Sequence, residues 1–234
     1  MNLVEFALRV AGKKDFKIDY RVSNTYIIHI FWKYGWMMLR GRAISLLYKN
    51  IANDVFVGKR VNLIEKRYLK IGSKSKIHDY SKIDALSIDG VKIGESCVLG
   101  RNTTIECTGS LDQLGKGLYI GDRTTFGNDC FFGAAGGIKI GNDVVAGQYI
   151  RFHSENHKYS DLTELIKDQG VTHKGIKIGN NCWIGSGVVF LDGAQLSDGC
   201  VVAANAVVAE IFPENSLVGG VPAKIIKFRG QSNE

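Results

Sequence analysis

A large apolar residue recurs every six positions along most of this chain. From Ile71 to Val208 these positions are Ile71, Ile77, Ile83, Ile93, Leu99, Ile105, Ile120, Phe126, Phe132, Ile140, Ala146, Phe152, Ile178, Ile184, Phe190, Leu196, Val202 and Val208. Seventeen of the eighteen are Ile, Leu, Val or Phe, and glycine follows at ten. A period of six matches neither a helical turn nor simple strand alternation. It predicts short strands and tight turns whose coils stack about 4.8 Å apart into one solenoid.

The cysteines follow the same register. Cys97, Cys130, Cys182 and Cys200 all stand four positions after a large apolar residue, in a slot that is small in most repeats. Only Cys107 lies outside that slot. Free cysteine behaves as a small buried hydrophobe, so we expect neither structural disulfides nor a zinc site, in agreement with a reducing compartment.

Positive charge is concentrated before the repeats. Residues 1–70 hold 14 Lys or Arg against 5 Asp or Glu, whereas the remaining residues hold 16 against 18. This segment is expected either to contact an anionic surface, lipid headgroups or an acidic polymer, or to be a solvated basic face. We expect no nucleic-acid partner.

The most apolar stretch of the basic segment is residues 26–39. It contains His29 and Lys33 and is shorter than the roughly 20 residues of a spanning helix. It is expected either to lie on a membrane or to pack on the main domain or a neighbouring subunit. Glu5 and Arg9 interrupt the N-terminal apolar run, so we expect no signal peptide. The expected location is the cytoplasm, with contact at the inner membrane face as an open possibility.

The repeat of a large apolar residue, glycine, two variable residues, a small residue and a variable one resembles the hexapeptide-repeat acyltransferases. The resemblance implies a left-handed parallel β-helix of triangular section, with three hexads to a coil and assembly as a homotrimer. The expected fold class is therefore all-β, with about six coils over residues 71–213. They follow a basic, partly helical segment at 1–70 and precede a short tail at 214–234.

Two histidines, His153 and His157, stand four apart in "FHSENHKYSD", just before the longest interruption of the repeat. On a strand and its corner they need not point together, so we expect no metal site. The element "SENHKY" resembles one in the sugar acetyltransferases, which implies that His157 is a general base. The alternative is a surface histidine beside a loop. The group that would orient the His157 imidazole is left open among Glu155, Asp168, Gln169 and a backbone carbonyl.

A second resemblance covers "IGNNCWIGSGVVFLDGAQLSDGCVVAANAVV" and "VGGVPAKIIK", which are similar to the ends of maltose, galactoside and polysaccharide O-acetyltransferases. It implies that acetyl-CoA lies in a groove between two β-helices. The implied coenzyme-binding residues are Trp183, Gly185, Ser186, Ala204, Lys224 and Lys227. For Trp183 the alternative is packing against a neighbouring subunit, and for the lysines an ordinary solvated tail.

The chain also departs from the galactoside-type enzymes. Gly127 stands where they have an acceptor-binding asparagine, and Ala209 and Glu210 replace Thr-Lys. The resemblance therefore implies O-acetylation of a sugar hydroxyl in a capsular or O-antigen polysaccharide or its precursor, rather than of a simple galactoside. The alternatives are N-acetylation of a nucleotide-linked amino sugar and a non-catalytic β-helix scaffold. The acceptor sugar and the hydroxyl modified are not specified by the sequence.

Overall fold

The structure, a computed structural model, describes residues 18–230. The N-terminal stretch that bears on a signal peptide, residues 1–17, lies outside them, as do residues 231–234. Within the described part the chain forms three long sheets, and successive strands pass from one sheet to the next. We call these sheets the first, second and third faces.

The first face has nine strands, parallel except for its last, antiparallel pair. They are β1 (Phe56–Val57), β4 (Lys76–Ile77), β7 (Val98–Leu99), β10 (Thr125–Phe126), β13 (Val145–Ala146), β18 (Trp183–Ile184), β21 (Val201–Val202), β24 (Ser216–Gly220) and β25 (Ala223–Phe228).

The second face has seven parallel strands: β2 (Asn62–Ile64), β5 (Lys82–Asp84), β8 (Thr104–Glu106), β11 (Phe131–Gly133), β14 (Arg151–His153), β19 (Val189–Phe190) and β22 (Val207–Val208). The third face also has seven: β3 (Leu69–Ile71), β6 (Val91–Ile93), β9 (Leu118–Ile120), β12 (Ile138–Ile140), β17 (Ile176–Ile178), β20 (Gln195–Leu196) and β23 (Ile211–Phe212). A separate hairpin joins β15 (Asn156–His157) to β16 (Val171–Thr172).

The six-residue register predicts the core correctly, because all eighteen of its large positions are buried. Equivalent positions in successive coils stack directly on one another. The ring of Phe152 is parallel to those of Phe132 and Phe190, with centroids 4.9 and 4.8 Å away. This spacing equals the distance between neighbouring strands, so each ring packs on the ring of the next coil.

The small slot of the repeat lies at the corners of the coils. There Ser75 and Thr124 donate hydrogen bonds to the carbonyls of Gly94 and Gly141 in the following coil, at 2.7 and 2.8 Å. Such bonds satisfy polar groups that are cut off from water. All five cysteines are free and buried, Cys107 included. Burial raises the pKa of the Cys130 and Cys182 thiols to about 11, which makes them poor nucleophiles.

The stacked strands begin earlier than the repeat predicted. Strands β1 to β3 precede or reach Ile71 and pair in register with the next coil, so the structure has seven three-strand turns before β24. The six-residue spacing continues in Ile51, Val57 and Leu63, which are buried, and a 3₁₀ turn at Lys66–Tyr68 separates Leu63 from Ile71 by eight residues. The predicted tail also contains strands, β24 and β25.

The helix expected in the basic segment is α1 (Asn24–Leu47), which begins after Ser23, whose hydroxyl accepts from the Tyr26 amide. One side packs on the first coil through Met37 and Gly41, and a Cβ on Gly41 would lie 1.8 Å from the Val55 carbonyl oxygen. Large apolar side chains remain exposed on the rest of α1. In the described part of the chain, no helix is both long and apolar enough to cross a bilayer.

Candidate active site

The longest excursion from the solenoid leaves the second face after His153 and rejoins the third face at Ile176. We call residues 154–175 the long loop. Its base is the hairpin in which His157 pairs antiparallel with Val171, and the Lys158 amide donates to the Gly170 carbonyl at 2.9 Å. The main chain of His157 is therefore held in extended geometry, while its side chain is exposed. An exposed imidazole on a hydrogen-bonded hairpin is accessible to a substrate.

His153 occupies a different environment. It ends strand β14 on the second face, half-buried, with its ring 5.6 Å from that of Phe131. Burial, together with the charge of Arg151, lowers the pKa of His153. The two histidines thus lie on separate elements, and no group of three metal-ligating side chains occurs among residues 18–230.

Asp192 anchors the returning strand of the long loop. It is 7 % exposed. Its carboxylate accepts three hydrogen bonds: from the Thr172 hydroxyl at 2.8 Å and from the amides of Lys174 and Gly175 at 3.1 and 2.7 Å. The sequence analysis did not single out this residue. A carboxylate directly after a strand of the repeat was its only sequence signal, and the groups it binds lie 17 to 20 residues away.

Two of the candidate partners for His157 are engaged elsewhere. The Glu155 carboxylate lies 2.5 Å from Nε2 of His173, across the base of the loop. Gln169 holds the loop tip instead, because its amide donates to the carbonyls of Asp161 and Glu164 at 2.7 and 2.9 Å. Asp168 is exposed near the loop tip. Glu155 and His173 therefore form an acid–imidazole pair near His157.

Four of the predicted coenzyme residues lie close together on the first face and its corner. Trp183 is 60 % exposed, between Val145 and Val201 on the adjacent strands. Gly185 and Ser186 form the corner that follows, and Ala204 occupies the same corner one coil later. A Cβ on Gly185 would lie 2.5 Å from the Ala204 amide nitrogen. Because the corners stack this tightly, the edge of the first face beside the exposed Trp183 indole carries small side chains.

A groove of about 620 Å³ continues along this corner toward helix α1. Ser186 and Gly127 line it, together with four groups that sequence reasoning missed: Lys33 of α1, His78, Asp79 and Arg101. Burial, followed by the charge of Lys33, lowers the pKa of His78. The volume of the groove lies within the range of small-molecule sites, and Lys33 and Arg101 outnumber its one carboxylate, Asp79, which suits an anionic ligand.

The two predicted lysines lie on β25, at the end of the first face. Nζ of Lys224 is 2.6 Å from the Glu210 carboxylate. This ion pair offsets part of the positive charge expected for coenzyme phosphates. Lys227 is half-buried and pairs through its backbone with Leu217.

The predicted base and the predicted coenzyme residues lie on different sides of one protomer. His157 projects from the corner between the second and third faces, whereas Trp183 lies on the first face. A cleft that combines them requires two copies of the chain side by side.

Comparison with known proteins identifies the repeat. Residues 175–210 match the family model described as bacterial transferase hexapeptide (six repeats). The chain is 33 % identical over 153 residues to a "probable acetyltransferase" of Mycobacterium tuberculosis, covering 58 % of this chain and 51 % of that protein. The chain thus spans about half the length of that relative.

A protein of Escherichia coli, WbbJ, provisionally named as a lipopolysaccharide biosynthesis O-acetyl transferase, is 31 % identical over 136 residues. That match covers 55 % of this chain and 69 % of WbbJ. Among solved structures, an N-acyltransferase from Bacillus cereus in complex with dTDP and coenzyme A aligns with a TM-score of 0.52 at 16 % identity. It covers 75 % of this chain and 82 % of that one, and shows likeness of fold alone. By its repeat, its fold and its identity to WbbJ, the chain belongs to the hexapeptide-repeat family of bacterial transferases.

Proposed function

We propose that this protein is an acetyl-CoA-dependent O-acetyltransferase. Its acceptor is a sugar hydroxyl of a bacterial capsular or O-antigen polysaccharide, or of a precursor. The observation that carries the proposal is the exposed His157 on a hairpin fixed at the base of the long loop, in a chain of this transferase family. The names of the relatives support acetyl transfer, and the name of WbbJ supports a surface glycan.

The chemistry assigned to His157 is general-base catalysis. A sugar hydroxyl is too weakly acidic to attack a thioester at neutral pH, and a neutral imidazole accepts its proton as the new C–O bond forms. The carbon–sulfur bond of the thioester then breaks, and the imidazolium returns the proton to the departing thiolate. The products are an acetyl ester and free coenzyme A thiol. Backbone amides near Gly185 are proposed to stabilise the oxyanion.

The proposed donor site follows the edge formed by Trp183, Gly185, Ser186 and Ala204, with Lys224 and Lys227 toward the coenzyme phosphates. The exposed indole offers an apolar surface to the pantetheine arm, and the stacked corner offers backbone amides. The groove of Lys33 and Arg101 adds positive charge on the same edge. Because His157 lies on another side of the protomer, we propose a homotrimer with each active site shared between neighbours.

Thiol release from acetyl-CoA tests the proposal. We expect release with at least one member of a panel of surface-type oligosaccharides. Replacing His157→Ala should reduce the rate about 10²- to 10⁴-fold while leaving acetyl-CoA affinity unchanged. His29→Ala, an exposed histidine on α1, is the matched control and should retain full activity. Native activity in His157→Ala would overturn the assignment of the base.

The same assay separates the alternatives. Faster release with a nucleotide-linked amino sugar than with any glycan would indicate N-acetylation. A non-catalytic scaffold would be indicated by two results together. The folded native protein would release no thiol with any acceptor, and His157→Ala would keep its biological activity.

We also propose a cytoplasmic location, with helix α1 contacting an anionic membrane surface. Trp32, Trp36 and Leu46 are exposed on it, and residues 20–53 contain five cations and no Asp or Glu. Aromatic and cationic side chains together suit the headgroup region of anionic lipid. Flotation with phosphatidylserine vesicles should capture the native protein and leave Trp32→Ala/Trp36→Ala largely unbound. If instead this double substitution dissociates the oligomer, the occupant of this face is a neighbouring protomer.

A further inference from the structure

The outward side chains of the third face form a row of cations. Consecutive strands β3 to β17 place Lys70, Lys92, Tyr119, Lys139 and Lys177 directly next to one another in register. Only Tyr119 interrupts the lysines. We call these five residues the lysine row.

Such a row opposes folding. Like charges in directly paired positions of a sheet are destabilising. None of these four lysines takes part in an ion pair within residues 18–230. By contrast, Lys82 on the second face is paired with Glu106 at 2.8 Å. Most strands of the row lie inside the sheet, where lysine has no role in protecting an edge.

A groove of about 500 Å³ lies over the middle of this row. Lys116 and Lys174 join Lys92, Lys139 and Lys177 around it, while Asp89 is the one acidic group in its lining, giving a net charge of +4. A second groove of about 580 Å³ shares Tyr119, Lys139 and Lys177 and ends at Asp198 and Glu214. The open surface is therefore elongated along the solenoid axis, with its positive charge at one end.

The first of these grooves borders the root of the long loop. Gly136 and Gly175 line it, and the Gly136 amide donates to the Ser154 hydroxyl at 2.9 Å. Nζ of Lys116 donates to the carbonyl of His173 at 3.1 Å. The cationic surface and the hairpin that carries His157 thus belong to one side of the same protomer.

We infer that the lysine row binds an acidic glycan chain and delivers it to the long loop as the acceptor. Lys70 and Lys92, and Lys139 and Lys177, are each one strand apart, about 4.8 Å, and a row of this kind matches a linear polymer with repeated charges better than a single compact anion. The grooves present lysines as separate point charges, with no arginine in their lining, which suits anionic groups spread along a chain rather than one group held by a forked guanidinium. Tyr119 offers a ring face between the charges, on which a sugar ring can pack.

This inference rests on the proposed function, and direct binding measurements separate the two. Calorimetry with the full chain would use a hexamer of galacturonate, a neutral maltohexaose of the same length, and coenzyme A. The test variant is Lys139→Gln/Lys177→Gln. The matched control is Lys59→Gln/Lys74→Gln, which removes the same two charges from exposed positions outside the grooves.

Native protein should bind the galacturonate hexamer more tightly than maltohexaose, with an affinity that falls as salt is raised. The test variant should bind the acidic hexamer about tenfold more weakly, since two charge contacts are lost. The control should stay within about twofold of native, and coenzyme A affinity should be unchanged in both variants.

Equal weakening in the control, no preference for the acidic hexamer, or loss of coenzyme A binding in the test variant would overturn the inference. The proposed function survives any of these outcomes if thiol release with a neutral sugar still depends on His157. Conversely, acidic-glycan binding that is intact without thiol release would refute the proposed function and leave the glycan site standing.

Discussion

Asp192 is a buried carboxylate that fixes the long loop, on which the proposed base His157 lies. It holds the returning strand of the long loop through Thr172, Lys174 and Gly175. Across the loop base, Glu155 and His173 form a second link. These contacts set the position of the hairpin from below, while the His157 side chain remains exposed. Asp192 is thus expected to act as a positioning residue, through the main chain of the loop.

Replacing Asp192→Ala should lower the free energy of unfolding by about 1–3 kcal/mol, because three donors lose a buried acceptor. The loop should be cleaved faster in limited proteolysis, and kcat should fall with little change in KM for acetyl-CoA. Asp161→Ala is the control: it removes an exposed carboxylate that bonds Thr163 within the same loop. Urea unfolding, proteolysis and steady-state kinetics provide the three readouts. Unchanged loop cleavage in Asp192→Ala would contradict this role.

At the scale of the element, helix α1 closes the N-terminal end of the solenoid. Its packed side has close backbone approach at Gly41 and an Nε hydrogen bond from Arg40 to the Val57 carbonyl at 2.9 Å. Tyr34 meets Phe56 edge to face, with ring centroids 5.9 Å apart. These contacts fix the helix against strand β1 of the first coil, which no other coil precedes among the described residues.

Two glycines of α1 offer a matched test of this docking. Gly41→Ala should lower the free energy of unfolding by about 1–3 kcal/mol, because the added methyl collides with the Val55 carbonyl. Gly35→Ala has open space around it and should raise stability by up to about 1 kcal/mol through helix propensity. Urea denaturation of the two variants measures both. If Gly41→Ala were as stable as Gly35→Ala, the helix would not dock as described.

At the scale of the whole molecule, His157 and Trp183 lie on different sides of one protomer, so the assembly is expected to bring them together. Neighbouring copies would bring the long loop of one protomer to the first face of the next. A closed ring of three identical interfaces would repeat this contact at every site. The lysine row and the long loop, by contrast, belong to one protomer, so acceptor and base would come from one copy and the donor edge from its neighbour.

Mixing two defective variants tests this sharing of sites. His157→Ala and Trp183→Ala should each be nearly inactive at limiting acetyl-CoA. After joint refolding at equal amounts, random trimers should recover about a quarter of native activity, because each site draws its base and its indole from different protomers. Thiol release from the mixture, against each variant refolded alone, is the measurement. If the mixture stays as inactive as its components, base and indole act within one protomer or the proposed site is wrong.

The sequence by itself determined the repeat and the core. Each inward position is set by a local rule, six residues to a strand and its corner, so the eighteen inward positions could be identified as buried without coordinates. The same rule placed four cysteines inside and located the long interruption after His157. It stopped short of the first coil, where Ile51, Val57 and Leu63 are also six residues apart but a 3₁₀ turn separates them from Ile71.

The tertiary structure decided everything that depends on distant residues meeting. Lys116 and His173 are 57 residues apart yet hydrogen-bonded, and Asp192 binds the end of the long loop although three strands lie between them in the sequence. The row of lysines exists only because coils of unequal length pair in register. Such meetings depend on the summed length of every insertion between the partners, which a local period does not encode. The six-residue repeat therefore determines each strand, whereas the stacking of the coils determines which residues meet at the site.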